Sequence, residues 1–189
     1  MVATQPQVGA RPRRFTVEDY HRMAEAGILA EDDRVELIAG EIVEMSPIGI
    51  RHVSCVIALT DLLRNLIGRD VLISVQNPIR LGDHNEPQPD IALLKRRRYR
   101  RALPGVEDVL LVIEVADSSR DYDRNVKLPL YAAAGIAEAW LVDLVADTIE
   151  RHTEPHAGRY RHRVIAGRGE SISSTVMTAI TLPVDEVLG

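Results

Sequence analysis

Val109-Leu-Leu-Val-Ile-Glu-Val115 is the stretch on which the architecture turns. It is almost wholly apolar, as a strand covered on both faces would be. Downstream, Ala116–Tyr122 is a polar loop, and Lys127, Leu130, Tyr131 and Ala132–Ala134 fall in a helical segment that stops at Gly135. Pro129 does not suit a helix interior, so that helix is expected to start close to Lys127 or to kink there. Ala139–Val142 reads as a second buried strand, followed by shorter β segments near Thr148–Thr153, Tyr160–Ile165 and Thr178–Leu182. Upstream, Pro89–Leu94 and Val71–Val75 are strand-like, the second edged by Asn77-Pro78. Before them Val53–Ile67 carries apolar residues at helical spacing and ends at Gly68. Arg34–Ile38 and Glu41–Met45 form a hairpin about Ala39-Gly40, and Thr16 caps a helix that stops at Gly27. Residues 1–14 show no periodicity and are expected to be a tail. The expectation is one α/β domain, 15–189: a mixed β-sheet flanked by helices on both faces, with β hairpins at the ends.

A chain of 189 residues and 21.0 kDa is long enough for a full core without staples. Its single cysteine, Cys55, cannot form an intrachain disulfide, and fits the apolar face of the long helix as core filler. Acidic residues outnumber basic ones, 28 to 23, which excludes a globally basic nucleic-acid binder. Aromatic residues at 4% argue against a stacking platform for single strands. There is neither an apolar run of the roughly 18 to 20 residues that span a bilayer nor a signal-peptide core, so a soluble cytoplasmic protein is expected.

Several charged residues do not fit a core. Glu114 interrupts the apolar strand, where an unpartnered carboxylate would cost several kcal/mol. Asp90 opens the strand Ile91–Leu94, so the two acids lie near the ends of strands that could be neighbours. Convergent carboxylates suit a hard divalent cation, although a strand-end acid also serves as a loop cap or an arginine partner. Asp123, Lys127 and Tyr131 step by four and share a face if their segment is helical. Spacing alone does not separate such a site face from an Asp–Lys pair on a solvated helix. Lys95-Arg-Arg-Arg-Tyr-Arg-Arg101 holds six basic residues among seven; Arg97 and Arg98 could grip phosphate, or the run could be a solvated turn. A zinc reading of His152, His156 and His162 is set aside, because Pro155 disrupts the helix it would need. Trp140 reads as core.

Five strings, in order, carry a resemblance: Val35-Glu-Leu-Ile-Ala-Gly-Glu-Ile-Val-Glu-Met45, Gln88-Pro-Asp-Ile-Ala92, Val112-Ile-Glu-Val115, Asp123…Lys127…Tyr131 and Ala137-Glu-Ala-Trp-Leu-Val-Asp143. Together they resemble a bacterial restriction endonuclease family of the Uma type, known chiefly as a domain of unknown function within the PD-(D/E)XK nuclease superfamily. The resemblance implies a restriction-endonuclease-like core, with Asp90 and Glu114 as catalytic metal ligands. The parent motif places a lysine two residues after the glutamate, where this chain has Ala116. Members of the family resemble one another in carrying a lysine on the next helix instead, which is Lys127 here. Glu36 looks like an early acidic ligand that completes the metal site, and His52 like a further site position, though a solvent-exposed helix-start histidine reads equally well. Asp123 would anchor Lys127, and Tyr131 would orient it or touch phosphate. The implied activity is Mg²⁺- or Mn²⁺-dependent hydrolysis of DNA phosphodiesters, with a homodimer as a plausible assembly and no membrane partner. The alternative is a catalytically inactive nuclease fold that binds nucleic acid or regulates.

Overall fold

The computed structural model describes residues 12–189. Most of the expected tail, residues 1–11, lies outside the described residues. At its end Arg14 is laid on the first hairpin, with its guanidinium 2.7 Å from both the Ala39 carbonyl and the Glu41 carboxylate.

Helix α1 (Val17–Glu25) begins at Thr16, whose hydroxyl accepts from the Asp19 N–H while the Asp19 carboxylate accepts from the Thr16 N–H. Strands β1 (Val35–Ile38) and β2 (Glu41–Glu44) form the hairpin, turning through left-handed Ala39 and Gly40. Helix α2 (Ile50–Leu66) follows. The main sheet contains β3 (Val71–Val75), β4 (Ile91–Lys95), β5 (Val109–Ala116), β6 (Glu138–Asp143), β7 (Thr148–His156) and β8 (Arg159–Gly167), in spatial order of sequence. Only β5 and β6 are parallel. A parallel pair needs a crossover, and α3, residues 120–134, supplies it. A short pair, β9 (Ser171–Ser173) with β10 (Thr181–Pro183), and helix α4 (Val184–Leu188) close the chain.

Alternation along β5 explains why its sequence looks uniformly apolar. Leu111, Ile113 and Val115 pack on one face with Leu59 and Leu63 of α2 and Val184 and Val187 of α4. Val112 and Ala116 face the other way, into a cluster with Leu128 and Tyr131 of α3. Glu114 shares that second face by parity.

Three expectations are corrected. Of the two alternatives at Pro129, a helix start near Lys127 is the one overturned: the crossover helix starts at Arg120 and runs as Arg120–Tyr122, Asp123–Lys127 and Leu128–Ala134. Its middle stretch is a wide π turn in which the Leu128 N–H donates to the Asp123 carbonyl, five residues back. Pro129 lacks an N–H and its ring crowds the preceding turn, so loosening that turn admits the proline without ending the helix. The late β segments near 148–165 are one long hairpin, with Pro155 inside β7 opposite Tyr160. The strand after Pro89 begins only at Ile91, which leaves Asp90 at its mouth. Among the described residues, no helix is long and apolar enough to cross a membrane.

Candidate active site

Ile91 pairs with Ile113 across the antiparallel β4–β5 ladder, and this register sets Asp90 beside Glu114. The Asp90 N–H lies 3.4 Å from Glu114 Oε2, and the Val115 N–H donates to Asp90 Oδ2 at 2.8 Å. His52, in the first turn of α2, places Nε2 2.9 Å from Asp90 Oδ1. Lys127 reaches in from α3, with Nζ 3.3 Å from Glu114 Oε1 and 3.4 Å from Glu36 Oε2, and it donates to the Gln88 carbonyl at 3.2 Å. Glu36 points inward from β1 and accepts from the Gln88 N–H (3.0 Å) and the Tyr122 hydroxyl (3.2 Å). The Tyr131 hydroxyl donates to Glu114 Oε1. Glu36, His52, Asp90, Glu114, Tyr122 and Lys127 border a cleft of about 310 Å³ between the β2–α2 connection and the start of α3.

The π turn also serves the site. A step of four residues on a 3.6-residue helix drifts by about 40°, so Asp123 and Tyr131 would diverge on a regular helix. The wider turn advances each residue less, offsets that drift, and leaves Asp123, Lys127 and Tyr131 all buried on the sheet side. From the same helix, Arg120 Nε lies 2.6 Å from the buried Asp143 carboxylate of β6. Arg124 bridges Asp143 (3.3 Å) and Glu150. These ion pairs clamp the helix that carries Lys127.

Burial raises the Glu114 carboxyl well above the usual carboxylate range; Lys127 pulls against that, and Asp123 and Asp90 add to it. Burial alone would lower Lys127, but Glu114, Glu36, Asp123 and Asp90 outweigh it and keep the ammonium charged. Asp90 is also penalised by burial, yet His52 and the Val115 N–H hold it below its ordinary value. Asp123 is pushed up to about 6, chiefly by burial, against the opposing pull of Lys127 and the Ser119 hydroxyl, which donates to it at 2.5 Å.

A raised carboxyl favours the fold when protonated. Its contribution is present below its ordinary value near 4 and is lost as pH rises through about 6. Asp123→Asn, which keeps an acceptor for Ser119, is therefore expected to match the parent protein in urea unfolding near pH 4. By pH 7.5 it should be more stable by about 2 to 3 kcal/mol. A difference that does not change with pH would contradict this.

The structure brings Asp90, Glu114, Lys127, Glu36 and His52 together, and it corrects several finer expectations. Glu36 is engaged by Lys127, which stands between it and Glu114. Among the described residues, no three His, Cys, Asp or Glu side chains converge as a ready metal cage. Tyr131 is fully buried and holds Glu114, so it cannot touch phosphate. Asp123 bonds to Ser119 rather than to Lys127. Arg97 and Arg98 do not lie beside the site: they follow β4, whose opposite end meets Asp90, and Arg97 pairs with Asp108. Sequence reasoning missed Gln88, Ser119 and Tyr122. It also missed the clamp on Asp143 and Glu150, whose only sequence signal is an acidic residue within otherwise buried β segments.

A divalent cation fits these residues in a limited way. Asp90 and Glu114 offer two adjacent, all-oxygen donors, and four carboxyl groups gathered about one lysine leave excess negative charge. Magnesium is commonly held by one or two carboxylates, with water and phosphate oxygens filling the remaining positions.

The sequence matches, over residues 17–185, the family Uma2, described as "Putative restriction endonuclease". Among solved structures the fold is similar to a "putative nuclease belonging to DUF820" from Anabaena variabilis ATCC 29413. The TM-score is 0.72 at 14% identity, covering 92% of this chain and 97% of that one. Identity that low speaks to the fold alone. No curated protein sequence matches the chain.

Proposed function

Since the chain belongs to the Uma2 restriction endonuclease family, we propose that it is a metal-dependent endonuclease that hydrolyses DNA phosphodiester bonds at the Asp90–Glu114–Lys127 cleft. The observation that carries this reading is the ammonium of Lys127, 3.3 Å from Glu114, beside an Asp90 carboxylate held ionised. A Mg²⁺ or Mn²⁺ ion held by Asp90 and Glu114 would supply Lewis-acid charge and acidify water.

The chain's own residues have separable tasks. His52 and the Val115 N–H fix the rotamer of Asp90. Tyr131 does the same for Glu114 from its buried side. Lys127 presents a cation where negative charge grows on the scissile phosphate as the bond to water forms. Gln88 and Glu36 aim that ammonium, and Tyr122 aims Glu36. Phosphate chemistry of this kind depends on positioned charge rather than on a covalent intermediate.

Plasmid nicking measured with Mg²⁺, Mn²⁺ and EDTA tests the reading. Cation-dependent nicking that EDTA stops is the expected result. Asp90→Asn should abolish it and, in calorimetry without any substrate, bind Mn²⁺ at least tenfold more weakly than the parent protein. Duplex binding with no nicking in any cation would overturn the proposal in favour of a non-catalytic binding protein. Unchanged Mn²⁺ affinity in Asp90→Asn would remove the metal site.

A further inference from the structure

We propose that the end of the sheet remote from the cleft is a docking surface for the phosphate backbone of duplex DNA, formed by Lys95, Arg98, Arg100 and Arg101 with Arg64 and Arg69. Nuclease function enters only in the choice of DNA as the polyanion; the surface itself is argued from charge and placement. Asp90 precedes β4 and Lys95 ends it, so the two lie about 17 Å apart along the strand. Lys95 is opposite Val71, which brings the segment after β4 alongside the end of α2 and the start of β3.

This region is charged against the sign of the molecule. Residues 64–70 and 95–108 hold eight Lys and Arg against three acidic residues, in a chain of net charge −5. Arg64, Arg69 and Arg96 line one hollow of about 290 Å³ with no acidic residue on its wall. Elsewhere the arginines are mostly answered: Arg14, Arg22, Arg80 and Arg168 each have a carboxylate within 4.0 Å. Here, among the described residues, only Arg97 has one.

The segment is also built to display its cations. Arg97 pairs with the buried Asp108, which in turn accepts from the Gly105 N–H at 3.0 Å. The Arg97 guanidinium lies 5.0 Å from the centre of the Tyr99 ring, and the Tyr99 hydroxyl donates to the Lys95 carbonyl at 2.7 Å. Arg96 is folded onto the Arg69 and Val71 carbonyls. Arg97 and Arg96 are therefore struts, and Arg98, Arg100 and Arg101 are left exposed with no use in the fold. Exposed cations on one short segment complement the repeated negative charge of a phosphate backbone. Tyr99 is engaged by the loop, so the surface offers no free ring for base stacking. Contacts of this kind position a duplex without reading its sequence.

Fluorescence anisotropy with a mixed-sequence 30-bp duplex, in EDTA across a salt series, tests the surface without turnover. The triple variant Arg98→Ser/Arg100→Ser/Arg101→Ser is expected to bind about tenfold or more weakly at low salt. Its slope of log K against log salt should be shallower by about 2.7, at 0.9 per lost phosphate contact. A control losing the same charge elsewhere, Arg13→Ser/Arg159→Ser/Arg161→Ser, should keep the parental slope. Parental binding by the triple variant, an equal loss in the control, or no duplex binding by the parent protein would each overturn the surface. Nicking assays separate the two proposals. Normal nicking with unchanged binding in the triple variant removes the docking surface alone. Binding that depends on Arg98, Arg100 and Arg101 in a protein that never nicks removes the nuclease alone.

Discussion

Lys127→Ala is expected to nick plasmid DNA about 10² to 10³ times more slowly than the parent protein in Mg²⁺, the usual loss for a transition-state donor. The ammonium is anchored from three sides, by Glu114, Glu36 and the Gln88 carbonyl, so its position does not depend on substrate. Mn²⁺ affinity should stay within a few-fold, because the oxygens of Asp90 and Glu114 remain. Single-turnover nicking together with calorimetry separates these effects, and a Lys127→Ala protein that nicks normally would end the assignment. The geometry also explains why the lysine is not at position 116. Ala116 is fully buried in the same cluster as Leu128 and Leu141 and pairs with Asp143 across the parallel ladder. A longer side chain there would overpack the floor of α3, at about 1 to 3 kcal/mol. A lysine on α3 reaches the same carboxylate without entering that packing.

Glu114→Ala should lower stability by about 3 kcal/mol, read as a drop in the urea midpoint at pH 7. Two buried groups lose a partner at once. Lys127 keeps Glu36 as its one carboxylate within 4.0 Å, beside the Gln88 carbonyl, and the fully buried Tyr131 hydroxyl loses its acceptor. Glu114→Gln retains an acceptor for Tyr131 and is neutral, the form that burial favours at this position, so it should cost little or no stability at pH 7 while losing nicking equally. Equal stability of the two variants would mean that the buried network contributes little to the fold. The contrast matters because Glu114 has two roles in one place. Its strand position makes it a core residue, and its neighbours keep it from behaving as one.

The local sequence determined much of this protein. Apolar runs, 3.6-residue spacing and turn residues specify β5, β3, α2 and the first hairpin to within a few residues, because burial and chain reversal are written directly into local residue order. The out-of-place charge of Glu114 and the turn before Asp90 marked the two acids that the fold brings together, since a carboxylate is retained inside a strand only with a partner. Tertiary structure alone decided what those acids meet. The register of β4 on β5 sets Asp90 beside Glu114, and no single strand encodes its pairing partner. The π turn before Pro129 aligns Lys127 with Asp123 and Tyr131, where the proline read in isolation leaves open a helix start or a kink. Residue spacing could not show that Glu36, far upstream in β1, shares Lys127 with Glu114. Nor could it show that Lys95–Arg101 lies at the far end of β4 from the cleft. Sequence proximity to Asp90 suggested a neighbour, but an extended strand carries its two ends apart by about 3.3 Å per residue.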